Sequence, residues 1–143
     1  MYALEYRQAG SFMVIRFDED EEIVSGIEEV CSKEDFKSGV ILSLVGAVKE
    51  CELVFREGCR ERFRDHFEIT GNGNLTNIDG KPKVHLHIVA SNDLNLKAGH
   101  LIEGVVTIFC ETVIQRLEGF RMERVLDRSL DPQKIALPYR LKP

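Results

Sequence analysis

Gly99-His100-Leu101-Ile102-Glu103-Gly104-Val105-Val106-Thr107-Ile108-Phe109-Cys110-Glu111-Thr112-Val113-Ile114-Gln115 is long, apolar and rich in Val, Ile and Thr. Branched side chains pack well on a pleated surface, so this stretch predicts a central strand pair or one bent strand. Upstream, residues 84–90 read as another strand, and Ser91-Asn92-Asp93 as a hairpin-type loop between the two.

Working outward, Val40-Ile41-Leu42-Ser43-Leu44-Val45 predicts a strand buried on both faces, interrupted by Gly46-Ala47. Residues 48–55 then alternate, with Cys51, Leu53 and Phe55 on one side and Glu50, Glu52 and Arg56 on the other. Residues 60–69 alternate again: Phe63, Phe67 and Ile69 share a face, opposite Arg60, Arg62, Arg64, His66 and Glu68. Gly71-Asn72-Gly73-Asn74 and residues 77–81 carry turn chemistry. Phe12-Met13-Val14-Ile15 predicts a further buried strand.

The acidic run from Asp18 to Glu22 predicts a helix start, where carboxylates favour the positive end of the dipole. Ile23, Val24, Ile27, Val30 and Cys31 then fall on one helical face, and the helix should end before Ser38-Gly39. The tail carries Phe120, Met122 and Leu126, then Asp131-Pro132 and Pro138. The pattern predicts an α+β fold: a mostly antiparallel central sheet of roughly seven to nine strands with one principal helix.

The chain has 143 residues, the length of one ordinary domain, so residues 1–143 are expected to form one. No apolar run approaches the ~18 residues of a membrane span. The N-terminus, Met1-Tyr2-Ala3-Leu4-Glu5-Tyr6-Arg7, lacks the basic region and apolar core of a signal peptide, which predicts a cytoplasmic protein. No C-x-x-C pair joins Cys31, Cys51, Cys59 and Cys110, which argues against zinc-ribbon and thioredoxin-type sites. Cys31 and Cys110 read as buried small hydrophobes, and a Cys51–Cys59 disulfide would be out of place in a reducing compartment. The formal net charge of −5 argues against binding nucleic acid through a generally basic surface.

Three of the four histidines lie between residues 85 and 100. On a strand, His85 and His87 project from the same face, about 6.5–7 Å apart. If the following loop is short, His100 falls opposite His87 and joins that face; a slip of one residue would turn it away. Three imidazoles could then meet on one divalent transition metal, zinc first by ligand type, with nickel, copper or iron as alternatives. The plainer reading is a satisfied polar cluster or a pH-sensitive interface. Three ligands leave one coordination position open, as in catalytic zinc and equally in a structural site completed by a neighbour or solvent. Glu68, Glu103 and Glu111 are candidate general bases, and no catalytic residue follows from the sequence itself. Arg60, Arg62 and Arg64 could line up on DNA phosphates, although Glu61 and Asp65 between them also suit an ordinary solvated face.

The order of these segments resembles the PPC (plants-and-prokaryotes-conserved) domain. The matching pieces are Met13-Val14-Ile15-Arg16-Phe17 before an acidic helix start, then Gly39-Val40-Ile41-Leu42-Ser43-Leu44-Val45-Gly46-Ala47, then Phe67-Glu68-Ile69-Thr70-Gly71-Asn72-Gly73-Asn74. They continue with Val84-His85-Leu86-His87-Ile88 and Ala98-Gly99-His100-Leu101-Ile102-Glu103-Gly104. The resemblance covers about residues 10–128. It implies an α+β fold and a homotrimer. Free-standing prokaryotic members look like this chain in carrying the three histidines. Plant members join the domain to an AT-hook and are treated as DNA-binding or transcription-related. This sequence has no Arg-Gly-Arg-Pro hook, and Ala98-Gly99 stands where Gly-Gly is more usual. One glycine is expected to be enough there, to supply unusual backbone angles.

Three classes of function therefore stay open: a metal-dependent small-molecule enzyme or sensor, a DNA-binding protein, and a trimeric interaction module.

Overall fold

The computed structural model describes residues 4–56, 58–119, 121–126 and 139–141. In chain order these form β1 (Glu5–Ala9), β2 (Phe12–Asp18), α1 (Ile23–Lys33), β3 (Gly39–Arg56), β4 (Cys59–Ile78), β5 (Lys81–Ser91), β6 (Leu96–Arg116), β7 (Glu123–Leu126) and β8 (Tyr139–Leu141). Of the tail residues named above, Phe120, Asp131-Pro132 and Pro138 lie outside the described residues.

The α+β expectation is corrected. Strand accounts for 72% of the described residues and helix for 9%, so the fold is largely β. The reason is visible at two places read from sequence as breaks. Gly46-Ala47 lies inside β3, and Gly71-Asn72-Gly73-Asn74 lies inside β4. Glycine there admits close backbone neighbours instead of turning the chain, so expected short strands merge into long ones. Residues 99–115 likewise belong to one strand, bent by register shifts against β3. β1 was not anticipated; it pairs with β2, setting Tyr6 opposite Ile15.

The strands form one sheet in the order β1-β2-β6-β3-β4-β7-β8, and β5 pairs with both β4 and β6. Pairing therefore runs in a closed circuit through β3, β4, β5 and β6, which covers both edges of β5 from His87 to Ser91. Inside lie Ile41, Leu44, Leu53, Phe67, Ile69, Leu86, Ile88 and Leu101, all buried. Helix α1 joins this core with Ile23, Ile27, Val30 and Cys31. Each such aliphatic side chain contributes roughly 1.5–3 kcal/mol by leaving water. Cys31, Cys51 and Cys110 are buried and unpaired, and burial pushes their thiols up to about 12, 11 and 12. None of the three is activated for nucleophilic work.

Of the acidic run, only Glu22 caps the helix, accepting from the backbone N–H groups of Val24 at 2.9 Å and Ser25 at 2.7 Å. Its carboxylate also accepts from the Gly104 N–H at 2.9 Å, which ties the helix start to β6. Glu19 acts elsewhere. It binds Lys49 Nζ at 2.8 Å and accepts from Thr107 Oγ1 and the Ile108 N–H at 3.0 and 2.9 Å. Ile108 has φ 65°, costly for a branched side chain, at a register shift between β3 and β6.

These contacts, chiefly the bond from Lys49, hold the Glu19 carboxyl down from its ordinary 4.5 to about 2. A depressed carboxylate pKa contributes stability above the unfolded value and loses it as pH falls towards the folded value. Glu19→Gln is therefore expected to be less stable than the parent at pH 7. The gap should narrow between pH 4.5 and about 2. Urea denaturation at three pH values checks this; a gap independent of pH would contradict it.

Candidate metal centre

β5 alternates cleanly: Leu86 and Ile88 are buried, while His85 and His87 occupy the other face. The connection to β6 is short. Asn92 Oδ1 accepts from the N–H groups of Leu94 and Asn95 at 3.0 and 2.9 Å, and the Asn92 N–H donates to the Asn95 carbonyl at 3.0 Å. That turn sets Ser91 opposite Leu96 and brings His100 directly opposite His87. The register on which a shared face depended is thus the one observed.

The three rings converge. Their centroids are 5.1 Å apart for His85 and His87, 5.0 Å for His85 and His100, and 5.6 Å for His87 and His100. One ring nitrogen from each lies within 4.8 Å of the others. The Nε2 atoms of His85 and His87 are 3.2 Å apart. A tetrahedral ion with bonds of 2.0–2.1 Å spaces its ligand nitrogens by about 3.3–3.4 Å. The His85–His87 pair thus already has the spacing of a zinc-type ion, and His100 brings a ring nitrogen within 4.8 Å of both. His85 and His100 are half-buried and His87 is exposed. Burial, then neighbouring positive charge, lowers the pKa of both His85 and His100. Neutral imidazole, the ligating form, is favoured accordingly.

Two glycines make room. A Cβ on Gly73 would lie 2.0 Å from the His85 carbonyl oxygen, so β4 can pass β5 this closely only without a side chain. Gly99 was expected to supply unusual backbone angles. Its φ is not in the left-handed region; a Cβ there would instead meet the Val54 carbonyl oxygen at 2.7 Å.

The candidate bases lie apart from this cluster. Glu68 sits beside His66 at 3.5 Å, Glu103 is held by Arg62 at 3.2 Å, and Glu111 pairs across the strands with Arg16 and Val45. None of them hydrogen-bonds a triad imidazole among the described residues. The arginine row is occupied as well. Arg62 meets Glu50, Glu52 and Glu103 at 2.9, 3.3 and 3.2 Å, Arg64 meets Glu50 at 3.1 Å, and Arg60 meets Glu52 at 3.8 Å. Cross-strand carboxylates thus already balance these guanidiniums.

Sequence reasoning missed Arg124. Its Nη2 lies 3.5 Å from His85 Nδ1, and its Nε donates to Thr76 Oγ1 at 3.1 Å. No spacing rule could have found it, because the parallel pairing of β7 with β4 brings it there.

Gly73→Ala should force β4 from β5, displace His85 and destabilise the fold by at least about 1–3 kcal/mol, the usual cost of overpacking. Thermal melts of this variant beside Gly80→Ala, where a Cβ meets only strain from φ 78°, separate close approach from backbone conformation.

The family model for the Plants and Prokaryotes Conserved (PCC) domain matches residues 4–118. Solved structures with the same fold include a candidate DNA-binding protein from Bacteroides thetaiotaomicron, with TM-score 0.82 and 25% identity, covering 96% of this chain and 97% of that one. A metal-containing protein from Archaeoglobus fulgidus has TM-score 0.76 and 26% identity, covering 90% and 94%. A plant- and prokaryote-conserved protein from Pyrococcus horikoshii has TM-score 0.75 and 26% identity, covering 99% and 98%. No curated protein sequence is similar enough to this one to count as a match.

Proposed function

This chain belongs to the Plants and Prokaryotes Conserved domain family, and we propose that it binds a divalent transition metal through His85, His87 and His100. The observation that carries this reading is the convergence of three ring nitrogens, from two neighbouring strands, within 4.8 Å. The metal-containing relative from Archaeoglobus supports it. Zinc is the first choice, since imidazole suits it and tetrahedral spacing fits the His85–His87 distance.

Bound there, the ion would supply Lewis acidity and an open position for water or a ligand. The three imidazoles would hold it at the sheet surface, half-shielded. No described carboxylate stands ready as a base, so a metal-dependent sensor or a small-molecule enzyme whose base comes from outside these residues both fit the reading. The chain is taken to act in the cytoplasm as one domain. No helix among the described residues is long and apolar enough to cross a membrane.

Self-assembly, as a homotrimer, belongs to the same proposal. It is supported by Val14, Leu42, Val45 and Val89, which stand 39–58% exposed on β2, β3 and β5. A second copy covering this face would remove that apolar surface from water.

A second reading, DNA binding, is favoured by the likeness to the Bacteroides protein. The carboxylates around Arg60, Arg62 and Arg64 weigh against those residues as its phosphate contacts.

Elemental analysis of untagged protein should find about one transition metal per chain, and His87→Ala or His100→Ala should reduce it to a small fraction. Metal-free parent protein from metal-replete medium would overturn the reading. Light scattering with and without a chelator separates a structural ion, whose loss dissociates the assembly, from one that only serves ligands. A salt-titrated gel shift should show DNA binding no tighter than about 10⁻⁴ M at physiological salt; tighter, steeply salt-dependent binding would favour the second reading.

A further inference from the structure

The ring nitrogen of His85 that faces His87 is Nε2, so this is the atom available to the ion. A neutral imidazole that gives its Nε2 lone pair to a metal carries its proton on Nδ1. Metal-bound histidines ordinarily hand that second N–H to a carboxylate or a carbonyl oxygen. Here the group that meets Nδ1 is Arg124 Nη2, at 3.5 Å. Arginine has donors only. With a metal in place, two donors would face each other and neither would accept.

The guanidinium is not free to swing aside. Its Nε is spent on the hydroxyl of Thr76, which is buried. Its strand is held against β4 where Ile78 pairs with Arg124 and where the Asn77 N–H donates to the Met122 carbonyl at 2.8 Å. Among the described residues Arg124 forms no ion pair, in contrast to Arg60, Arg62 and Arg64. The charge is unbalanced in the same sense. Three neutral imidazoles would hold a divalent cation beside Arg124, and the fields of Arg124 and Arg60 both reach His100.

We infer that the metal-loaded site takes a small oxyanion, a carboxylate or a phosphate, as the acceptor shared by Arg124 and the Nδ1–H of His85. An oxyanion has several lone pairs and negative charge, so it satisfies both donors at once. Metal binding places the proton on Nδ1 and adds positive charge, so it prepares the anion site. By linkage the anion must tighten the metal by the same factor. This rests on the metal reading above and adds to it the class of ligand that the site recognises.

The full chain loaded with cobalt(II) provides the test. Cobalt affinity is measured by chelator competition in chloride buffer, then with millimolar acetate and with millimolar inorganic phosphate, and the visible bands of the ion are recorded in each. One or both oxyanions should tighten cobalt about tenfold in the parent protein. The arm with the larger effect names the carboxylate or the phosphate class. Arg124→Met should bind cobalt with unchanged stoichiometry and lose the anion effect. Thr76→Val, which frees the guanidinium while keeping its charge and the shape of the site, should reduce the effect and decides the matter if Arg124→Met does not fold. Coupling that persists undiminished in these variants, or that is absent from the cobalt-loaded parent, overturns the inference and leaves the triad standing. Failure of the parent to bind cobalt stoichiometrically overturns the triad reading, and this one with it.

Discussion

The pairing of β5 with β6, registered so that His87 stands opposite His100, is the constraint on which the rest depends. Side chains on a strand alternate, so a slip of one residue would send His100 into the core and Leu101 into solvent. The core resists that slip. Leu101 is buried there beside Leu86 and Ile88 of β5, and the slip would expose it. Apolar burial on the inner face therefore fixes the polar geometry on the outer face. The Asn92 turn adds a local restraint, closing the hairpin with Ser91 opposite Leu96.

β5 is also held on its other side, residue by residue, by β4, with His85 opposite Asn74 and His87 opposite Asn72. A strand paired along both edges cannot twist independently. His87 thus rides on the part of β5 that is paired along both edges, His85 on the part paired with β4, and His100 on β6, which pairs with β2, β3 and β5. Such a support suits a site whose donors must be held to within about 0.5 Å of their productive positions. The missing side chain at Gly73 belongs to the same design, because it lets β4 approach the backbone of His85.

Charge is partitioned sharply over the outer surface. Arg60, Arg62 and Arg64 meet Glu50, Glu52 and Glu103 across the strands, so that the row is close to neutral. The Arg60 and Arg64 guanidiniums are exposed, and surface pairs of this kind contribute little stability, about 0–1 kcal/mol each. Their main effect is to remove a basic stripe that would otherwise attract phosphates. Arg124 stands apart from this compensation, beside the imidazoles. Positive charge without a balancing carboxylate among the described residues therefore lies beside the histidine cluster.

Much of this was written locally. Apolar runs with a period of two announced the strands, the one-face pattern of Ile23, Ile27, Val30 and Cys31 announced the helix, and His-x-His on a strand put two imidazoles on one side. These features depend on neighbours a few residues away, and local periodicity records them. What glycine does is not local: Gly46, Gly71 and Gly73 read as breaks, and the strands run through them because a neighbouring backbone needs the space. The balance between α+β and largely β turned on that. The acidic run was likewise divided by tertiary contacts, Glu22 to the helix cap and Glu19 to the strained backbone at Ile108. The sequence alone determined which residues could ligate a metal. Only the tertiary structure decided that His100 meets the pair, that the arginine row is balanced, and that Arg124 stands at the site, because each of these requires strands far apart in the chain to lie side by side.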